Sequence, residues 1–190
     1  MATTNKPQIL LLSLSCCGYR DRTYALLFNR LLEVAHVKRA ETAADALRAL
    51  AENTFKAITI TDEGLAVFKT SHREVLAKVK TYVENGGLAI VGLDCPLCMR
   101  WNTFTEFFEA FSIPWTNGYY HRTIFQLSPS CTLPKGKPLC PVDGAQTQSY
   151  AYHSEYVDED QAAVVGGRVG RGFLVYCGDV NGEDKSNQFM

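Results

Sequence analysis

Cys95-Pro96-Leu97-Cys98 directly follows the apolar run 88–93. Two thiols at that spacing make a redox pair when a helix N-terminus stabilises the first thiolate, and otherwise a structural loop with partly buried sulfurs. The next helix is expected to begin several residues later, at Asn102 or Thr103, which points to the loop. No metal is expected, because Cys131 and Cys140 stand far apart in a proline-rich stretch and cannot supply the compact second pair of a zinc site. His121-Arg122 offers an imidazole and a guanidinium that could bind a carboxylate or do general-base work. On a strand the two point to opposite faces, so one of them is solvated or bonded to backbone. Asp62, Glu63 and Asp179 could orient His121 or act as acid and base themselves, although acids at such positions also cap the following turn. Ser15, Cys17, Tyr19, Asp94, Arg122 and Asn181 complete the candidate ligand-binding set. Residues 15–18 lack the G-x-G-x-x-G pattern, so no nucleotide cofactor is expected. His36 and His72 read as surface positions flanking helices.

These residues need elements to position them. The first half of the chain alternates short apolar runs (9–14, 36–39, 57–61 and 88–93) with amphipathic stretches at 23–35 and 42–51 and a longer one after Ser71. That alternation predicts parallel strands returning through crossover helices. Ser71 reads as an N-cap with Glu74 as its capping-box partner, and Asn85-Gly86-Gly87 as the stop. A helix over 104–111 closes before Ile113-Pro114. From 119 the period changes to two: 119–127, 149–157, 162–169 and 172–177 read as strands, the last two a hairpin through Gly170-Arg171. Residues 128–148 read as one long loop. The expected fold is therefore α/β: a flavodoxin-like three-layer sandwich whose central parallel sheet has antiparallel edge strands, in one domain over 1–190. In such a sheet ligands bind beyond the carboxyl ends of the strands, where Ser15, Asp62, Glu63, Asp94, Cys95 and Asp179 would meet.

Bulk properties narrow the function. A formal charge of −1 gives no electrostatic reason to expect nucleic acid or an anionic membrane as partner. No apolar run reaches the ~18–20 residues that cross a bilayer, and 8–14 is too short for a secretory signal, so a cytoplasmic location is expected. Seven cysteines in a chain with 46% apolar residues read as reduced thiols rather than a disulfide framework.

Tyr82-Val83-Glu84-Asn85-Gly86-Gly87 leading into Leu88-Ala89-Ile90-Val91-Gly92, with Val169-Gly170-Arg171-Gly172-Phe173-Leu174-Val175-Tyr176, resembles the class I glutamine amidotransferase-like superfamily, particularly its ThuA-like branch. Gly118-Tyr119-Tyr120-His121-Arg122-Thr123 and Gly178-Asp179-Val180-Asn181-Gly182-Glu183 are similar to segments of uncharacterised fungal proteins of that fold. The resemblance implies a glutaminase triad of Cys95 with His153-Ser154-Glu155, and residue types oppose it. Pro96 should hold Cys95 extended and has no N–H for an oxyanion hole, and the flanking glycines of a nucleophile elbow are missing. The resulting expectation is a hydrolase, lyase or isomerase acting on a small metabolite without glutaminase activity. His121 would be its base, Cys95 a nucleophile or pocket thiol, and Asp62, Glu63 and Asp179 supporting carboxylates. The alternatives are a non-catalytic small-molecule-binding or scaffold protein, with the aromatic segment 104–115 as an association surface, and a C-x-x-C redox protein. A homodimer is compatible with each. The fold would normally add a closing helix where residues 182–190 stop.

Overall fold

The structure, a computed structural model, describes residues 6–15, 20–67, 70–118, 121–128, 131, 134–146, 156–158 and 160–179. Four βα-type units build the first half. β1 (Gln8–Leu12) is followed by α1 (Arg20–Thr23) and α2 (Ala25–Val34), and β2 (His36–Ala40) by α3 (Ala43–Glu52). β3 (Ala57–Ile60) leads through a 3₁₀ turn (Glu63–Leu65) into α4 (Thr70–Glu84), and β4 (Leu88–Val91) into α5 (Cys95–Cys98) and α6 (Trp101–Glu109). The antiparallel flank is β5 (Phe125–Leu127), β6 (Gly136–Pro141) and β7 (Val164–Val169), and β8 (Gly172–Cys177) returns to the parallel set.

Together the described residues form an eight-stranded sheet in the order β2-β1-β3-β4-β8-β7-β6-β5. β2, β1, β3, β4 and β8 run parallel, and β7, β6 and β5 alternate antiparallel beyond them. This is the expected flavodoxin-like α/β arrangement. Strand alternation sorts the core. Leu10, Leu12, Ile58, Ile60, Ala89, Val91 and Leu174 face α3, α4 and the phenylalanines of α6, while Leu11 packs with Tyr24 and Phe28 on the other face.

Several local expectations are corrected. The first helix breaks at Tyr24, whose ring is 1% exposed and fills the space beside Leu11 and Leu93. α4 already includes Thr70, so Ser71 is a helical residue and not the cap. Thr42 does cap α3, accepting from the Asp45 N–H. The loop expected over 128–148 contains β6. Its prolines hide it from pattern reading: the Pro138 carbonyl accepts from the Ser128 N–H, so the missing N–H falls on the last pair of the β5–β6 ladder, just past the end of β5, while the pairing with β7 shifts register between Gly136 and Leu139. Of the strand expected over 119–127, residues 119 and 120 lie outside the described residues and β5 covers Phe125–Leu127; of the one expected over 149–157 only Tyr156, bridged to Gln146, and Val157 lie within the described residues. The hairpin through Gly170-Arg171 forms as expected, with Gly170 at φ 57°. The terminal segment 180–190 lies outside the described residues.

Candidate functional site

The chain reverses strand order between β1 and β3, so the carboxyl ends of these two strands flank the crevice where parallel sheets bind ligands. Here the first part of that crevice is closed by the protein's own groups. Thr61 Oγ1 donates to the Leu12 carbonyl at 2.8 Å. Its single proton thus committed, it accepts from Ser13 Oγ at 2.7 Å. Asp62, 1% exposed, accepts from the N–H groups of Leu14 (3.1 Å), Ser15 (3.1 Å) and Gly64 (3.0 Å). An internal carboxylate therefore occupies amides that would otherwise greet an anionic ligand. Gly64 makes the approach possible: a Cβ there would stand 2.6 Å from Leu14 Cβ.

Glu63 is placed differently. It opens the 3₁₀ turn, and α5 packs against that turn. Its Oε2 is buried and accepts no hydrogen bond. A buried carboxylate oxygen with unused acceptor capacity is costly, and a ligand hydroxyl or ammonium group would satisfy it. The turn itself is held from below by His72, which is 7% exposed rather than on the surface. His72 Nδ1 lies 2.6 Å from the Gly64 carbonyl, and because a carbonyl only accepts, Nδ1 carries the proton. Helical periodicity could have found it, since position 72 stands three and four residues before the buried Val75 and Leu76.

Beyond β4 the backbone turns sharply at Leu93, whose φ of 59° is the strained left-handed value associated with elbows. Leu93 points into the cluster with Leu11, Tyr24 and Phe28, so a leucine and not a nucleophile holds that position. α5 begins at Cys95 itself, contrary to the later start expected, and Pro96 sits in its first turn, where a proline's missing N–H costs nothing. Cys95 is therefore helical and not extended, and it is 0% exposed, so its thiol is not presented to a ligand in this conformation. Cys98 is partly exposed and Asp94 is 2% exposed. On β8, Tyr176 packs edge-on to Phe104 and Phe108. Burial pushes its hydroxyl far above the usual tyrosine value, and the neighbouring thiols of Cys95 and Cys177 add to the shift. Burial likewise pushes the Cys177 thiol up to about 11, partly offset by a hydrogen bond from the Asp179 backbone.

His121 precedes β5, whose first residue Phe125 pairs with Pro141 at the carboxyl end of β6. Strand direction alternates across β8, β7, β6 and β5, so His121 comes in at the same end of the sheet as Glu63 and Asp179. Its Nε2 is buried, whereas Arg122 is exposed. Cys17, Tyr19, Asn181, His153 and Glu155 lie outside the described residues. Among the described residues no group of three or more His, Cys, Asp or Glu side chains could hold a metal ion, and no helix is long and apolar enough to cross a membrane. A shallow groove of ≈ 260 Å³ at the opposite end, lined in part by Asn53, Phe55, Lys78 and Tyr82, is structural in character. There the Tyr82 hydroxyl donates to the Phe55 carbonyl and accepts from the Leu88 N–H.

The fold is similar to that of solved ThuA-like and glycoside-hydrolase structures. A protein from Bacteroides uniformis described as ThuA-like superposes with a TM-score of 0.52 at 10% identity, over 94% of this chain and 83% of that one. An exo-β-1,4-mannosidase from Opitutaceae bacterium strain TAV5 gives a TM-score of 0.52 at 12% identity over 98% of this chain, which spans only 33% of the mannosidase. No protein-family model matches the chain, and no curated protein matches it by sequence.

Proposed function

We propose that the protein is a hydrolase-type enzyme of the ThuA-like fold, without glutaminase activity, that acts on a small polar metabolite at the carboxyl ends of β3 and β4. The observation that carries this reading is the buried Glu63 Oε2, which accepts no hydrogen bond at the end of the sheet where such folds bind ligands. Glu63 meets a hydroxyl or ammonium group of the ligand and serves as general base or acid. His121 enters at the same end of the sheet but on the β5 flank, five strands from β3, so it is a separate candidate and not the acid–base partner of Glu63, while Ser15 and Asp179 stand at the nearer strand ends. Asp62 is structural, because its carboxylate is committed to three backbone amides. Leucine at the elbow and a fully buried Cys95 support the omission of thiol chemistry.

The test is a proton-NMR screen of small hydroxylated or amino-bearing esters, lactones, amides and glycosides, in which water would cleave the C–O or C–N bond, against wild type, Glu63→Gln and His121→Ala. Turnover lost in Glu63→Gln supports the enzyme, and loss in His121→Ala as well extends the site to the β5 flank. Binding lost in Glu63→Gln without turnover in wild type supports the alternative, a non-catalytic binding protein. Binding that ignores both substitutions removes the site.

A further inference from the structure

Among the described residues the sheet has two edge strands, β2 and β5, and the sequence treats them differently. β2 carries Lys38 and Arg39, and the Arg39 guanidinium is tied to Asp21 and lies 4.9 Å above the Phe28 ring. Charged residues on an edge strand discourage pairing with a further chain. β5, Phe125-Gln126-Leu127, has neither charge nor proline. Leu127 is 64% exposed and the preceding Ile124 58%. Tyr156, 76% exposed, lies beside them, since Thr123 Oγ1 donates to the carbonyl of Gln146 and Gln146 bridges to Tyr156.

Ladder geometry fixes which backbone groups look outward. The Ser128 N–H donates to the Pro138 carbonyl and the Val142 N–H to the Ile124 carbonyl. Positions 124, 126 and 128 therefore turn toward β6, and the N–H and C=O of Phe125 and Leu127 turn away from it. Such a row is a template for another strand.

We propose that the protein forms a two-fold homodimer in which β5 pairs antiparallel with β5 of a second copy, with the axis at Gln126. That register sets the outward groups of Phe125 against those of the partner's Leu127, and the reverse. It brings Leu127 beside the partner's Phe125 as an apolar–aromatic cross-strand pair. The two Gln126 side chains face each other across the axis as a non-hydrogen-bonded pair, about 4.5 Å between Cα atoms. A residue on a two-fold axis must be complementary to itself, and a carboxamide both donates and accepts. A net charge of −1 leaves two copies without long-range repulsion. Because β5 is short, the interface falls at the small end of the range, where association is weak and transient.

Sedimentation velocity on the full chain between ~1 and ~100 µM tests this, the range following from the interface size. Wild type is expected to shift from monomer to dimer. Leu127→Lys should weaken the dimer at least about tenfold, by placing a cation in the seam. Gln126→Glu should abolish it at neutral pH and restore it near about pH 5, because facing carboxylates raise each other's pKa and share a proton there. Both sites are exposed, so in the dilute range where wild type is monomeric the melting temperatures should match, and at higher concentration only wild type should gain. A wild-type chain that remains monomeric throughout overturns the proposal. So does a dimer that survives both substitutions, which would move the interface elsewhere, for instance to the exposed Leu32 and Val34 of α2.

Discussion

Replacing Asp62 with alanine would strand the amides of Leu14, Ser15 and Gly64. Each unsatisfied buried donor costs about 1–3 kcal/mol, and with some relaxation of the loop we expect a total near 3 kcal/mol in urea denaturation. Asp62→Asn should lose about half as much, because one oxygen can still serve Leu14 and Gly64 while the amide nitrogen faces the Ser15 N–H. Cys177 supplies a second residue-scale expectation. Its thiol titrates at about 11 in the folded protein against an ordinary 9.0, so the native state holds its proton more tightly. The associated stability is fully present below pH 9 and is lost as pH rises through 11, amounting to about 3 kcal/mol for a two-unit shift. The urea midpoint should fall over that window in wild type and fall less in Cys177→Ala, while iodoacetamide should label Cys131 and Cys140 well before Cys177. Sequence reading found Asp62, Glu63 and Cys95 by type and position but could not divide their roles. Which carboxylate is consumed by backbone amides depends on how closely Gly64 approaches Leu14, a contact between segments far apart in the chain.

At the scale of elements, the helix ends were the least legible part of the sequence. Just past α6 the chain turns at Ser112, φ 61°, and the Ile113 N–H closes back onto the Phe108 carbonyl. A left-handed residue at that point is normally glycine, so Ser112→Gly should stabilise the protein by about 0.5–1 kcal/mol, read as a rise in melting temperature. Gly172→Ala should do the reverse, since a Cβ there would collide with the carbonyls of Val83 and Gly87 where the β7–β8 hairpin meets the end of α4. The sequence signal of that junction was strong because its glycines are required sterically. β6 and α5 were missed for a related reason. Proline reads as a breaker of regular structure, but it is tolerated at the end of a strand ladder and in the first turn of a helix.

For the molecule as a whole, parallel order was readable because each buried strand is a continuous apolar run followed by an amphipathic helix, and both faces of such strands are covered. The antiparallel flank carries a weaker pattern and a weaker core. Leu10, Ile58, Ala89 and Leu174 are each 0% exposed, whereas in β5 Phe125 is only half-buried and Gln126 and Leu127 are exposed. Stability should follow that gradient, since amides open with free energies ranging from near zero at thinly packed segments up to the global value in the core. In native-state hydrogen exchange, the amides of Ile58 and Ile60 should exchange only through global unfolding. The amide of Gln126, although paired with β6, should open through a local event at least about 3 kcal/mol cheaper, roughly a hundredfold lower in protection factor. Low denaturant should leave the Gln126 rate unchanged while it accelerates Ile60, because local opening exposes little surface. If the two amides share one protection factor and one denaturant slope, β5 and β6 fold as part of the parallel core, and the gradient in burial does not translate into a gradient in stability.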